Sequence, residues 1–187
     1  DALLQIRPER PPYFRMMEKV NLQGEPILGA IPAPRPHSPQ GFSDLVHEAQ
    51  IVDTRTELGF AAAHVPDAQF IWRDGLASFA GWFLSYQKPI LLVTDDNDTE
   101  EAVRILIRLG FDKISGFLAG GMLKWHMAGM PSHSQQTILV QDLCHLLDQG
   151  YQISILGVRT EAELNRDGRI PGAERSHVTH IAERRDE

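Results

Sequence analysis

The chain has 187 residues, 42% of them hydrophobic and 23% charged, a globular balance that supplies a core and excludes a largely disordered polymer. With domains of roughly 100 to 150 residues, that length holds one domain and part of a second. The net charge of -7 is spread with cations interleaved among acids, which excludes a clustered phosphate-binding face for nucleic acid, and no run approaches the roughly 20 apolar residues that cross a bilayer.

Residues 1–40 hold eight of the twelve prolines and read as a leader or connector. Within it Tyr13, Met16, Met17 and Val20 recur at intervals of three and four, which predicts one short amphipathic helix from Tyr13 to about Leu22, resting on a neighbour. From residue 41 the pattern is regular. A helix is expected over Phe42 to Glu48, then a buried strand Ile51 to Thr54, a loop, and a helix from Ala77 to Ser85. Pro89 opens Ile90-Leu91-Leu92-Val93, too short for a helix and the best candidate for a central parallel strand. Glu100 to Leu109 is the next helix, closed by Gly110 where a left-handed cap is favoured. Lys113 to Leu118 reads as a strand, and Met122 to Met127 as a short helix after Gly120-Gly121. Strands alternating with helices predict an α/β fold, a central parallel sheet with helices on both faces.

An internal repeat organises the rest. Val52-Asp53-Thr54-Arg55-Thr56-Glu57 is echoed by Leu156-Gly157-Val158-Arg159-Thr160-Glu161, and His64-Val65-Pro66-Asp67-Ala68 by Arg169-Ile170-Pro171-Gly172-Ala173. The offsets are 104 and 105, so two separate sites agree in register, as in a duplicated domain. In the first copy 70 residues separate Arg55 from Trp125, whereas 28 follow Arg159. The expected division is therefore a connector 1–40, a whole domain 41–131, and the start of a second copy over 137–187, with a strand Ile153 to Val158 that packs on the first domain or pairs with another chain as a homo-oligomer.

These motifs resemble the rhodanese-like superfamily: Val52-Asp53-Thr54-Arg55 at a strand end, His64 to Ala68, Ile90 to Val93 leading into a helix, and Leu118-Ala119-Gly120-Gly121-Met122-Leu123-Lys124-Trp125, in the family's order. The resemblance implies a nucleophilic cysteine at the start of the loop after the central strand, here Val93 to Asp95, and no cysteine stands there. Sulfur transfer of this kind needs a thiolate that attacks the outer sulfur of a donor and carries it as a persulfide, with loop amides and a helix N-terminus steadying the anion. The loop instead reads Val93, Thr94, Asp95, Asp96, Asn97, Asp98, Thr99, and with Glu100 and Glu101 it puts five carboxylates in eight residues from Thr94. Like charge opposes binding of thiosulfate, sulfite or phosphate. Asp98 as N-cap with Glu101 at N3 makes a capping-box-like pair; a cation or partner site is the other reading of the same acids.

Asp53 and Arg55 are expected to fix the strand-end loop, His64 and Pro66 to shape the next loop, and Trp125, after Gly120 and Gly121, to anchor the core. Cys144, the one cysteine, shares a helical face with Val140, Leu143 and Leu147 and reads as a small core residue. One thiol and no Cys-x-x-Cys make a reducing cytoplasm the expected compartment. His177 and His180 share a face if helical, but two ligands do not define a metal site.

The leader carries a second resemblance. Pro8-Glu9-Arg10-Pro11-Pro12-Tyr13-Phe14 with Met17 to Asn21 looks like the connector joining a metallo-β-lactamase-like domain to rhodanese-like repeats in bacterial fusion proteins, which resemble persulfide dioxygenases and glyoxalase II-like hydrolases. It implies an N-terminal partner domain holding iron or zinc on a histidine and aspartate cluster that this sequence does not contain; this chain itself is expected to need no cofactor. The expected function is a non-catalytic rhodanese-like module of a sulfur-metabolism protein, serving packing, assembly or substrate presentation. The alternative is a fragment of an active sulfurtransferase or persulfide-processing enzyme whose catalytic residues lie elsewhere; a phosphatase of the same superfamily also needs the loop cysteine. Asp1 in place of Met, with no basic and apolar leader after it, agrees with an excised piece.

Overall fold

The computed structural model describes residues 11–24, 29, 31, 33–95 and 98–184, in two compact units, Asp1–Gln136 and Thr137–Glu187. The first unit runs α1 (Tyr13–Gln23), β1 (Pro36–His37), α2 (Pro39–Ser43), β2 (Gln50–Asp53), α3 (Glu57–Ala62), β3 (Gln69–Phe70), a 3₁₀ turn (Arg73–Gly75), α4 (Leu76–Phe83), β4 (Ile90–Val93), α5 (Thr99–Arg108), β5 (Ile114–Leu118) and α6 (Gly121–Met127). Its sheet is ordered β1-β5-β4-β2-β3 and every pairing in it is parallel. This is the α/β architecture that the alternating pattern predicts, with β4 central.

Alternation within each strand divides the core, because successive side chains leave opposite faces of the sheet. Val52, Ile90 and Leu92 pack with Ala80, Leu84, Val103, Leu106 and Phe111 under α4 and α5. Ile51, Leu91 and Val93 pack with Phe42, Leu118, Met122 and Trp125 under α2 and α6. Helix α5 stops where expected: Gly110 takes φ +83°, its amide bonds to Ile107 O and the Phe111 amide to Leu106 O, the paired bonds of a left-handed cap.

Several elements differ from the sequence reading. Helix α2 starts at Pro39, because Ser38 Oγ accepts from the Gly41 amide at 3.2 Å with proline at the first helical position; it ends at Ser43 and turns carry the chain to Ala49. The proline-rich connector also contributes β1, which lies at a sheet edge, where proline is tolerated; Phe117 and Ala119 donate to Arg35 O and His37 O. Helix α3 and strand β3 have too few residues to show a period. The helix rests on its cap, the Thr56 hydroxyl accepting from the Gly59 amide. The predicted helix α1 is present, with Tyr13 lying so close over Gly81 of α4 that a Cβ there would collide with the ring.

The second unit runs α7 (Val140–Asp148), β6 (Leu156–Gly157), α8 (Glu161–Asp167), β7 (Glu174–Arg175) and a 3₁₀ segment (Val178–Arg184). Helix α7 carries the face on which the sequence places Val140, Leu143, Cys144 and Leu147. The strand expected over Ile153 to Val158 is ordered as strand at two residues, paired parallel with β7. Cys144 is exposed, contrary to the core reading, and so are Val140 and Leu147 at 73% and 38%. A two-stranded sheet offers too little apolar surface to cover that stripe.

The echoed sequences repeat the same hydrogen bonds. In the first unit the Ile71 and Arg73 amides donate to Asp53 O and Thr54 O; in the second, Ser176 and Val178 donate to Gly157 O and Val158 O. Arg55 Nη2 reaches Ala63 O at 2.7 Å, and Arg159 Nη2 reaches Gly168 O at 2.9 Å. The turn closed by Ala68 N to Val65 O recurs as Ala173 N to Ile170 O, with Asp67 at φ +62° where the second copy has Gly172 at +76°.

A second glycine besides Gly81 is demanded by a close approach. Gly116 of β5 has φ +144°, and an added Cβ would run into the Arg35 carbonyl and the His37 ring of β1. Gly116→Ala should destabilise the first unit by roughly 2 kcal/mol, by strain and lost β1 pairing; a urea midpoint within error of the parent's would contradict this.

Candidate active-site loop

Strands β2 and β4 end side by side, and the loops leaving them form the candidate site. Asp53, last in β2, has a fully buried side chain, and Arg55 beside it is 10% exposed. A buried carboxylate is tolerable only when paired and hydrogen-bonded. Here Arg55 Nε reaches Oδ1 at 2.9 Å, Nη2 reaches Oδ2 at 2.6 Å, and the Arg55 amide donates to Oδ1 at 3.1 Å. A further guanidinium bond, to Ala63 O, ties the end of α3 to this corner.

His64 is buried and stacked on Phe60, ring centroids 3.9 Å apart. Its Nδ1 lies 2.8 Å from Phe60 O, so that nitrogen carries the proton and donates. The His64 backbone bridges to His133, and Pro66 opens the turn that follows. Gly120 and Gly121 both take positive φ, +74° and +55°, and lead into α6, whose Trp125 is 1% exposed. Trp125 meets Phe42 edge to face at 6.0 Å and donates its indole N–H to Pro131 O at 2.8 Å, so it has a partner for its polar atom as well as an apolar bed.

The loop after β4 has a different character from these anchors. Val93 is fully buried and Thr94 nearly so. Thr94 Oγ1 lies 2.6 Å from Thr99 Oγ1 across the loop. Asp96 and Asn97 fall outside the described residues. Asp98 does not cap α5 through its side chain, contrary to the capping-box reading: its carboxylate takes Arg73 Nη1 at 2.9 Å. A full positive charge outcompetes backbone amides for that oxygen. Arg73 also reaches Asp74 at 3.1 Å. Hydrogen bonds to Asp74 and Asp98, and the charges behind them, raise the Arg73 pKa above its ordinary value.

A cavity of about 170 Å³ lies between these loops, lined by Thr54, Arg55, Trp72, Arg73, Asp95 and Asp98 among others. It unites the predicted Arg55, Asp95 and Asp98 with residues the sequence reading passed over, Trp72 and Arg73. Their signal was a lone aromatic and cation in Ile71-Trp72-Arg73-Asp74-Gly75 facing an acidic loop, visible only when two loops distant in sequence are known to meet. The cavity lining holds hydroxyls but no thiol and no imidazole. Cys144 belongs to the second unit. In that unit His177 and His180 share Thr179 Oγ1 as a neighbour. Among the described residues no group of three or more His, Cys, Asp or Glu is placed to hold a metal ion, so iron or zinc has no fitting donor set there. No described helix is long and apolar enough to cross a membrane.

Removing Asp53 should leave the Arg55 charge buried without its partner. Asp53→Ala is expected to cost about 3–5 kcal/mol in urea unfolding, and Asp53→Ala with Arg55→Met distinctly less. A double variant as unstable as the single one would show that the buried charge is not the cause.

The Rhodanese-like domain family matches residues 38–128, a span from the α2 cap to the end of α6. Among solved structures, a metallo-beta-lactamase from Staphylococcus aureus subsp. aureus COL is similar at 23% identity and a TM-score of 0.53, over 63% of this chain and 33% of that one. The Alr3790 protein from Anabaena sp. is 22% identical at a TM-score of 0.49, over 59% of this chain and all of its own. A thiosulfate sulfurtransferase from Pseudomonas aeruginosa is 16% identical at a TM-score of 0.49, over 94% of this chain and 38% of its own. With the five-stranded parallel sheet, the strand-end Asp53–Arg55 pair and the loop that β4 delivers to the sheet's C-terminal edge, residues 38–128 of this chain belong to the Rhodanese-like domain family.

Proposed function

We propose that this domain is a non-catalytic rhodanese-like module, serving packing, assembly or substrate presentation in a bacterial sulfur-metabolism protein of the cytoplasm. The observation that carries this reading is the state of the loop after β4. Persulfide chemistry needs a thiolate there. The loop supplies none, its buried hydroxyl is tied to Thr99, and Asp98 draws Arg73 across the cavity, so the cation best placed to greet an anionic sulfur donor is already committed to carboxylates. Acids elsewhere in the loop oppose the same donors. Asp53, Arg55, His64, Pro66, Gly120, Gly121 and Trp125 then act as structure, holding the sheet's C-terminal edge in the family's shape.

The second unit fits a partial further repeat, supported by the recurrence of hydrogen bonds at offsets 104 and 105. The likeness to a metallo-beta-lactamase over 33% of that protein favours a second reading of the parent: a fusion whose metal-dependent hydrolase or persulfide dioxygenase domain, with iron or zinc, precedes this chain. Both readings hold together if chemistry belongs to the partner domain.

The test is intact mass under non-reducing conditions after excess thiosulfate and then a persulfide donor, on the parent chain and on Cys144→Ser. Neither protein should gain one sulfur. A stoichiometric addition on the parent that Cys144→Ser abolishes would make the exposed thiol a sulfur carrier and overturn the non-catalytic reading.

A further inference from the structure

Another cavity of the first unit lies at the opposite edge of the sheet from the loop after β4. Gln50, which opens β2, holds Ser85 O and Lys88 O at 2.7 and 3.1 Å. The turn from α4 into β4 therefore sits where the parallel strands begin, whereas the candidate loop sits where they end. Helix α1 lies against α4 just before that turn, with the Tyr13 ring seated on Gly81. The space between them is about 480 Å³ and is lined by Arg15, Met16 and Lys19 of α1 and by Trp82, Leu84 and Tyr86, among others. That volume falls in the range of small-molecule sites.

The walls are apolar and the rim is cationic. Met16 and Trp82 are half-buried and Leu84 is buried. Tyr86 is a fixed wall: its ring stacks on Phe111, centroids 4.2 Å apart, and its hydroxyl donates to Leu109 O at 3.0 Å. Burial, with Tyr13 as the lesser cause, pushes the Tyr86 pKa up to about 12, so this wall carries no charge at neutral pH. Arg15 and Lys19 stand four residues apart on α1 and are both exposed. Like charges at that spacing disfavour a helix. Among the described residues neither has an ion-pair partner, and no carboxylate lines the cavity. Lys113 adds a third cation at the rim, its Nζ 3.4 Å from the carbonyl of the lining residue Gln87.

We propose that this cavity binds a small amphipathic anion, a carboxylate with an aliphatic or aromatic body, its headgroup between Arg15 and Lys19 and its body against Met16, Trp82 and Leu84. The planar Arg15 guanidinium can take a carboxylate through two parallel bonds, and Lys19 adds a point charge. Such a ligand relieves the repulsion within α1 and covers apolar surface in one event. An inorganic anion gains only the first of these and a neutral hydrocarbon only the second. The inference does not depend on the loop after β4 being inactive.

The probe is octanoate, titrated into the full 187-residue chain and followed by amide shifts in NMR, with octanamide as the uncharged molecule of the same length. Amides of residues 15–19 and 82–87 should shift saturably while those of residues 54–55 and 94–95 stay in place. Octanamide should bind at least about tenfold more weakly, the weight of one charge-assisted hydrogen bond. Octanoate should lose as much on Arg15→Gln/Lys19→Gln, whose two positions are exposed and leave the core intact. Arg104→Gln/Lys124→Gln, which removes the same charge elsewhere, should bind as the parent does. No saturable shift at residues 15–19 and 82–87 would overturn the proposal. Equal binding of octanamide would overturn it too, as would an equal loss in Arg104→Gln/Lys124→Gln, which means attraction to net charge alone. Phosphatidylglycerol vesicles that capture the chain while octanoate leaves those amides unmoved would overturn it by assigning α1 to a membrane surface.

Discussion

The parallel pairing of β2 with β4 is the constraint on which the first unit depends. Every residue of both strands is buried, and such a pair survives only if both faces are covered and both ends have their polar groups satisfied. The faces are covered by α4 and α5 on one side and α2 and α6 on the other. At the entering end Gln50 gives its amide N–H groups to Ser85 O and Lys88 O and accepts from the Ser85 amide. At the leaving end Asp53 is held by Arg55. Two polar residues in an eight-residue apolar slab thus fix where it starts and stops, and a register slip by one residue would put one of them against the core.

The same pairing places the candidate site. Because β2 and β4 are parallel and in register, their following loops emerge together, and Arg73 from the loop beyond β3 meets Asp98 from the loop beyond β4. The scaffold around the loop is held on every side: strand end, buried ion pair, glycine-led α6 and helix α5. What stands in the loop is a hydroxyl pair and an ion pair. The scaffold is therefore maintained by packing that is independent of any reacting group, since Asp53, Trp125 and His64 each have their partners within the fold.

The second unit shows what the local sequence builds around its one described strand pair, β6 with β7. The strand-end arginine, the helix cap and the tight turn all form: Thr160 and Glu163 make a reciprocal capping box, and hydrogen bonds between them hold the Glu163 carboxyl below its ordinary range. These are bonds between residues a few positions apart. The apolar residues around them, Leu156, Val158 and Ile170, stay exposed, because two short strands cannot cover them.

The sequence by itself determined the periods and the punctuation. A run of four aliphatics after Pro89, the helix ending at Gly110 and the echoes at offsets 104 and 105 are matters of residue spacing and local backbone preference, so the α/β architecture was legible there, and the resemblance of its motifs made the family legible too. Short elements were not: β1, β3 and α3 exist through pairing and caps rather than through a period. Tertiary structure alone decided that Asp98 serves Arg73 instead of the helix end, that Trp72 and Arg73 wall the cavity, and that Cys144 faces solvent. Each of these depends on which distant groups meet, or on whether enough apolar surface is near to cover a stripe, and neither quantity is carried by the spacing of residues along the chain.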